Sequence, residues 1–203
     1  MFVVTADQHR SRSTGDRVPT LLKGLTPWFS SHQDAIALPM ERTVGDEVQI
    51  LLTHAEPALD LALHLMRRAD WAVGVGAGPV ETPLGPSARQ SSGQAFFHAR
   101  EAVERARGRG EPVPLVIMGE QAEAAGEATA VVQLLGAILR RRSAEGWEVA
   151  DGQAAGKRQN QIAEELGISP QAVGQRMRAA LVQEEQRVRP VAARLMSVCV
   201  GGS

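Results

Sequence analysis

The sequence predicts an α+β fold, and three observations carry that prediction. Up to Met118, short apolar runs of strand length alternate with segments whose apolar residues recur at helical spacing. Beyond Met118 every segment reads as helix. The composition, 43% hydrophobic and 22% charged over 203 residues, belongs to a chain that can bury a core. Aromatic residues are scarce and Tyr is absent, so Leu, Val, Ile and Ala must fill that core.

Residues 2–6 form the first strand-length run, and residues 16–31 the first helical segment, ending at or soon after Pro27. Residues 35–44 and 47–53 read as two strands joined at Gly45-Asp46, a dipeptide suited to a tight turn. Residues 57–68 carry Leu59, Leu63 and Met66 at helical spacing, with Pro57 acceptable in the first turn. WAVGVGAGPV, residues 71–80, is a glycine-spaced strand, and the Pro- and Gly-rich stretch 82–92 is a loop. Residues 95–107 form a helix with a basic end, and residues 112–118 another buried strand. The order β-α-β-β-α-β, followed by a further helix and strand, predicts a split βαβ sheet with helices on one face, the ferredoxin-like arrangement. The Ala/Glu/Gly-rich stretch 120–128 marks the junction, so residues 1–122 and 123–203 are expected to form two domains.

Net charge is −1, which excludes a chain coated in nucleic acid and leaves any DNA claim to a local motif. Residues up to Gly126 hold 12 basic and 15 acidic side chains, against 10 basic and 8 acidic from Glu127 onward. One cysteine, Cys199, permits no internal disulfide, and no stretch approaches the roughly 20 apolar residues of a membrane span. The N-terminal order of apolar run then charge is the reverse of a signal peptide, so a cytoplasmic protein is expected.

The sharpest motif is KRQNQIAEELGISPQAVGQRMRAAL, residues 157–181. Ile162, Ala163 and Leu166 share one face of a first helix, and Gly167 permits the turn that follows. Ser169 suits the N-cap and Pro170 the first position of a second helix, whose buried stripe is Val173 with Met177. Small Ala163, the turn glycine, Ile168, the Ser-Pro cap and the apolar spacing together predict a helix-turn-helix rather than an ordinary helical hairpin. Such a unit lays its second helix in the major groove of double-stranded DNA. Gln171, Gln175 and Arg178 are then the base-facing candidates, Ser169 caps the helix, and Arg176 and Arg158 lie nearer the phosphates. Gly174 either admits close approach to DNA or simply weakens the helix. Arg140, Arg141 and Arg142 either meet phosphates or form a solvated helix end. One unit covers few base pairs, so a homodimer is expected. The tail residues Val188, Val191, Leu195 and Val198, interrupted by Pro190, would pack on their own domain or on a second copy.

In the sheet domain Asp7 follows the first strand and Asp46 sits at the tip of the hairpin. If adjacent strands bring them together, two carboxylates suit Mg²⁺; otherwise each is a turn residue at a strand end. Gly74, Gly76 and Gly78 mark close packing rather than a phosphate cradle. His9, His32, His54, His64 and His98 share no ligand spacing, and no nucleophilic triad can be assembled.

TADQHRSR, VGDEVQ, WAVGVGAGPV and SGQAFFHAREAVERA resemble successive motifs of the bacterial SatD family over most of the chain. The same blocks more distantly resemble class III nucleotide cyclases. That second resemblance implies Asp7 and Asp46 as metal ligands and Arg100 as a phosphate contact, with Arg42 standing where cyclases carry Lys. Phe96 and Phe97 occupy the region where cyclases place Asn, and these departures argue against cyclisation. The chain is therefore read as a non-enzymatic DNA-binding regulator with a cyclase-like sensor or dimerisation domain, open to a nucleotide effector. The competing reading is a metal-dependent nucleotide-binding enzyme whose helical tail docks a partner.

Overall fold

The computed structural model describes residues 1–8, 15–68 and 70–201. The architecture is α+β: a five-stranded sheet with nine α-helices among the described residues. In chain order these are β1 (Phe2–Gln8), α1 (Val18–Gly24), α2 (Thr26–Ser31), β2 (Ile36–Arg42), β3 (Glu47–Leu52), α3 (Ala55–Arg67) and β4 (Trp71–Ala77). They continue with α4 (Gln94–Arg107), β5 (Leu115–Met118), α5 (Ala122–Arg141), α6 (Ala144–Ala154), α7 (Gln159–Leu166), α8 (Pro170–Ala179) and α9 (Val182–Val198).

Proline accounts for two departures from the expected boundaries. The segment 16–31 divides at Leu25, because Pro27 cannot donate into a continuing helix and instead sits in the first turn of α2. The strand expected from residue 112 starts only at Leu115, after Pro112 and Pro114, although the Pro114 carbonyl still accepts from Val73 N–H at 2.8 Å.

The strand order is β2-β3-β1-β4-β5. β1 is central and antiparallel to both β3 and β4, and β5 is added parallel to β4. Alternation along the strands then divides the side chains between two faces. Phe2, Val4, Ala6, Ile50, Leu52, Val73, Val75 and Ile117 enter the main core with α3 and α5. Val3, Leu51, Ala72 and Val116 face the other way and meet Ala95, Ala99, Ala102 and Ala106 of α4. Helices therefore cover both faces, not one as expected from the sequence.

The contact between α4 and β4 is unusually close. A Cβ built on Gly74 would lie 2.2 Å from Val103 N, and one on Gly76 2.1 Å from the Ala95 carbonyl oxygen. Both obstacles are backbone, so glycine is needed for the alanine-lined face of α4 to lie on the strand.

The expected boundary between residues 122 and 123 does not coincide with a break in the core. Ala125, Ala128, Val132, Leu135 and Leu139 of α5, with Ala192, Ala193 and Met196 of α9, are buried in the same core as the sheet. Thr129 Oγ1 accepts from Ile117 N–H at 3.0 Å and donates to the Ile117 carbonyl at 3.1 Å, tying α5 to β5. By length and composition α5 is the one described helix that could cross a membrane, a possibility the sequence reading had excluded; here its apolar side packs on β5 and α9. The tail meets expectation in part: α9 runs through Pro190, Val188 and Leu195 pack against the chain's own core beside buried Ala192, Ala193 and Met196, and Val191 and Val198 are exposed.

Gly76→Ala places a methyl against helix backbone, and an overpacking cost of about 2–3 kcal/mol is expected. Thermal denaturation should show Tm falling by about 5–10 °C; an unchanged Tm would contradict this packing.

Candidate nucleic-acid interface

Helices α6, α7 and α8 enclose a small core of their own. Val149, Ile162, Ala163 and Val173 are buried there, with Leu166, Ile168 and Met177 packed against them. The chain leaves α7 through Gly167, left-handed at φ 64°, and Ile168 N–H reaches back to the Ala163 carbonyl at 3.0 Å. The Ser169 hydroxyl accepts from Ala172 N–H at 3.2 Å and Pro170 opens α8, so the predicted cap is present. A left-handed Leu181, φ 52°, then turns the chain sharply into α9.

Gln171, Gln175 and Arg178 fall on one side of α8, and all three are exposed. Among the described residues the Gln171, Gln175 and Arg178 side chains make no hydrogen bond or ion pair, whereas Arg158 is the N-cap of α7, its N–H donating to Gln161 Oε1 at 2.8 Å. Arg176, expected nearer the phosphates, pairs with Glu148 of α6 at 2.9 Å in an exposed contact. Gly174 faces Gln159: a Cβ there would stand 3.0 Å from Gln159 Nε2. Sequence reading did not single out Gln159.

Of the expected basic cluster, Arg140 and Arg141 are exposed, but the Arg142 side chain is only 1% exposed. Arg142 cannot serve phosphates. Its guanidinium donates to the Ala180 carbonyl, the C-cap of α8, at 3.1 and 2.9 Å, and meets Glu185 at 2.6 Å. Glu185 accepts from Arg189 at 2.8 Å, Arg189 reaches Asp60 of α3 at 2.7 Å, and Asp60 accepts from Trp28 Nε1 at 2.8 Å. Beside this chain Arg67 makes a two-pronged contact with Asp151 at 2.7 and 2.8 Å, and its guanidinium lies 3.9 Å over the Trp147 ring. The helical unit is thus fastened to the sheet by charged groups that no single sequence segment reveals.

At the sheet's other end Asp7 pairs in register with Glu47, and Gln8 N–H bonds the Asp46 carbonyl at 3.3 Å. Burial pushes the Asp7 carboxyl up to about 6, against the pull of Arg107 and with the nearby Asp46 and Glu47 charges adding to it. Arg107 Nε stands 3.1 Å from Asp7 Oδ2. Mg²⁺ there would have to displace that guanidinium, and no group of three His, Cys, Asp or Glu among the described residues is placed to hold a metal. The site as built is a carboxylate–guanidinium pair.

The residues implied as nucleotide contacts do not converge. Arg42 pairs with Asp16 at 2.5 Å, whereas Arg100 is exposed on α4 beside Glu104 at 3.3 Å. Arg100, Arg89, Phe96, Phe97, Thr5 and Gln49 line a groove of about 740 Å³ along the α4 face of the sheet. His98 Nδ1 lies 2.9 Å from the Ala77 carbonyl, and His9 with the end of TADQHRSR lies outside the described residues.

No family model, curated protein or solved structure matches the chain. The site must speak for itself.

Two outcomes follow from these contacts. Arg142→Ala leaves Glu185 buried with half its charge partners, and should cost about 3 kcal/mol by denaturant unfolding, as breaking buried pairs does. Arg176→Ala, which breaks an exposed pair, should cost below about 1 kcal/mol; equal losses would contradict the difference in burial. Asp7 binds its proton more tightly folded than unfolded, so its contribution is favourable below pH 4 and is lost as pH rises through 6. Asp7→Asn should therefore be more stable than the parent at pH 8 by about 1 kcal/mol, with the gap closing by pH 4. A gap independent of pH would contradict the raised carboxyl.

Proposed function

We propose that this protein is a sequence-specific DNA-binding transcriptional regulator that reads double-stranded DNA with α8. The observation that carries the reading is the row Gln171, Gln175 and Arg178: exposed, unpartnered, and mounted on a helix whose opposite side is fixed by Val173. A helix-turn-helix needs this arrangement, a rigid small core behind and polar side chains ahead, at the N-terminal part of the second helix. Gln bridges adenine N6 and N7, and Arg prefers guanine O6 and N7. Arg158, at the start of α7, is placed in the reading as a phosphate contact.

The sheet domain is, in this proposal, a ferredoxin-like and cyclase-like sensor. Support comes from the antiparallel order β2-β3-β1-β4 and from the SatD resemblance of its motifs. A nucleotide effector would take the groove beside Arg100. Effector binding would act by favouring one of two arrangements with different DNA affinity. Two copies would occupy two half-sites as a homodimer in the cytoplasm.

The test is a binding titration on the protein's own promoter fragment at several salt concentrations. Arg178→Ala should weaken binding by about 1–3 kcal/mol and relax preference at one base position, while Arg158→Ala should weaken all duplexes alike and flatten the salt slope by about 1. Parent-like binding by both variants would remove α8 from the interface.

A further inference from the structure

A fourth polar group belongs to the reading face although it comes from the neighbouring helix. Gln159 is the first residue of α7 and is exposed, yet its side chain crosses to α8, where Nε2 donates to the Pro170 carbonyl at 2.5 Å. Its amide lies directly against the place a side chain at residue 174 would take. A Cβ on Gly174 would be 3.0 Å from Nε2 and 4.0 Å from Cδ, and the same position looks onto Arg178 Nη1 at 3.6 Å. Gln171, Gly174, Gln175 and Arg178 occupy one side of α8, so the Gln159 amide sits among the three side chains already assigned to DNA.

The amide is also only half used. Among the described residues nothing accepts its second Nε2 hydrogen or donates to its oxygen. In water these groups need no partner, but on a DNA surface they are one donor and one acceptor held in a fixed orientation by the bond to Pro170. The first helix of such a pair crosses the sugar-phosphate backbone, and side chains at that crossing fix the register of the second helix without reading sequence.

We propose that Gln159 donates its free amide hydrogen to a DNA phosphate, and that Gly174 is glycine because the Gln159 amide occupies the space above it. The inference rests on the DNA-binding reading. It gives Gly174 a role distinct from direct approach to DNA and distinct from mere loss of helix stability.

The experiment is a double-mutant cycle at positions 159 and 174, titrated on the promoter fragment and on a scrambled duplex of the same length. Gln159→Ala should lose about fivefold in affinity for both duplexes, the effect of one hydrogen bond. Its salt slope should match the parent's, because a neutral amide releases no counterion. Gly174→Ala should raise Tm, since alanine favours helix, yet lower DNA affinity by displacing the amide; added to Gln159→Ala it should cost nothing more. Parent-like DNA binding by Gln159→Ala, or an undiminished Gly174→Ala loss in the Gln159→Ala background, would overturn the proposal while leaving the DNA-binding reading standing. A parent protein that binds neither duplex would overturn both.

Discussion

The arrangement of the whole molecule hangs on one buried charge, the guanidinium of Arg142. It ends α5, which belongs to the sheet's core, and it holds the last carbonyl of α8, which carries the polar face. Glu185 neutralises it from α9. Burying an ion pair is costly, and a pair of this kind gives little stability over apolar residues of the same shape. What it does give is direction: the guanidinium's planar fork accepts few arrangements of its partners. The left-handed turn at Leu181, which costs about 1–2 kcal/mol in a residue with a side chain, lies directly after the carbonyl that Arg142 grips.

That constraint links the helices beyond β5 to the sheet. α5 and α9 lie in the sheet's core, and the run Arg142–Glu185–Arg189–Asp60 continues their grip to α3. Under the proposed function, such a connection is what would let events at the sheet bias α8. Coupling of this type requires contacts that differ between two states, and a chain of charged groups along one seam supplies contacts that can be exchanged as a set.

Much of this was legible in the sequence. The hairpin at Gly45-Asp46, the glycine-spaced strand and the Gly167–Ser169–Pro170 turn all rest on local chemistry, so the local pattern foretold them. The domain boundary was not legible, because an Ala- and Glu-rich segment reads alike whether it links domains or forms a helix on a sheet. Arg142 looked like its exposed neighbours Arg140 and Arg141, since burial depends on Glu185, 43 residues away. Arg176 was likewise claimed by Glu148 across the fold. Gly74 and Gly76 were legible as marks of close packing, but not that α4 is the element that packs on them and covers the second face of the sheet. Gln159 was missed because a glutamine at a helix start has no pattern of its own; Gly174, out of place in a helix, was the signal that pointed to it.

The central claim is that α8 reads DNA sequence. A gel-shift titration of the full chain at fixed salt, on its own promoter fragment and on a scrambled duplex, tests it most directly. The account predicts a preference of about 10³-fold or more for the promoter fragment. Equal, weak binding to both duplexes would contradict it.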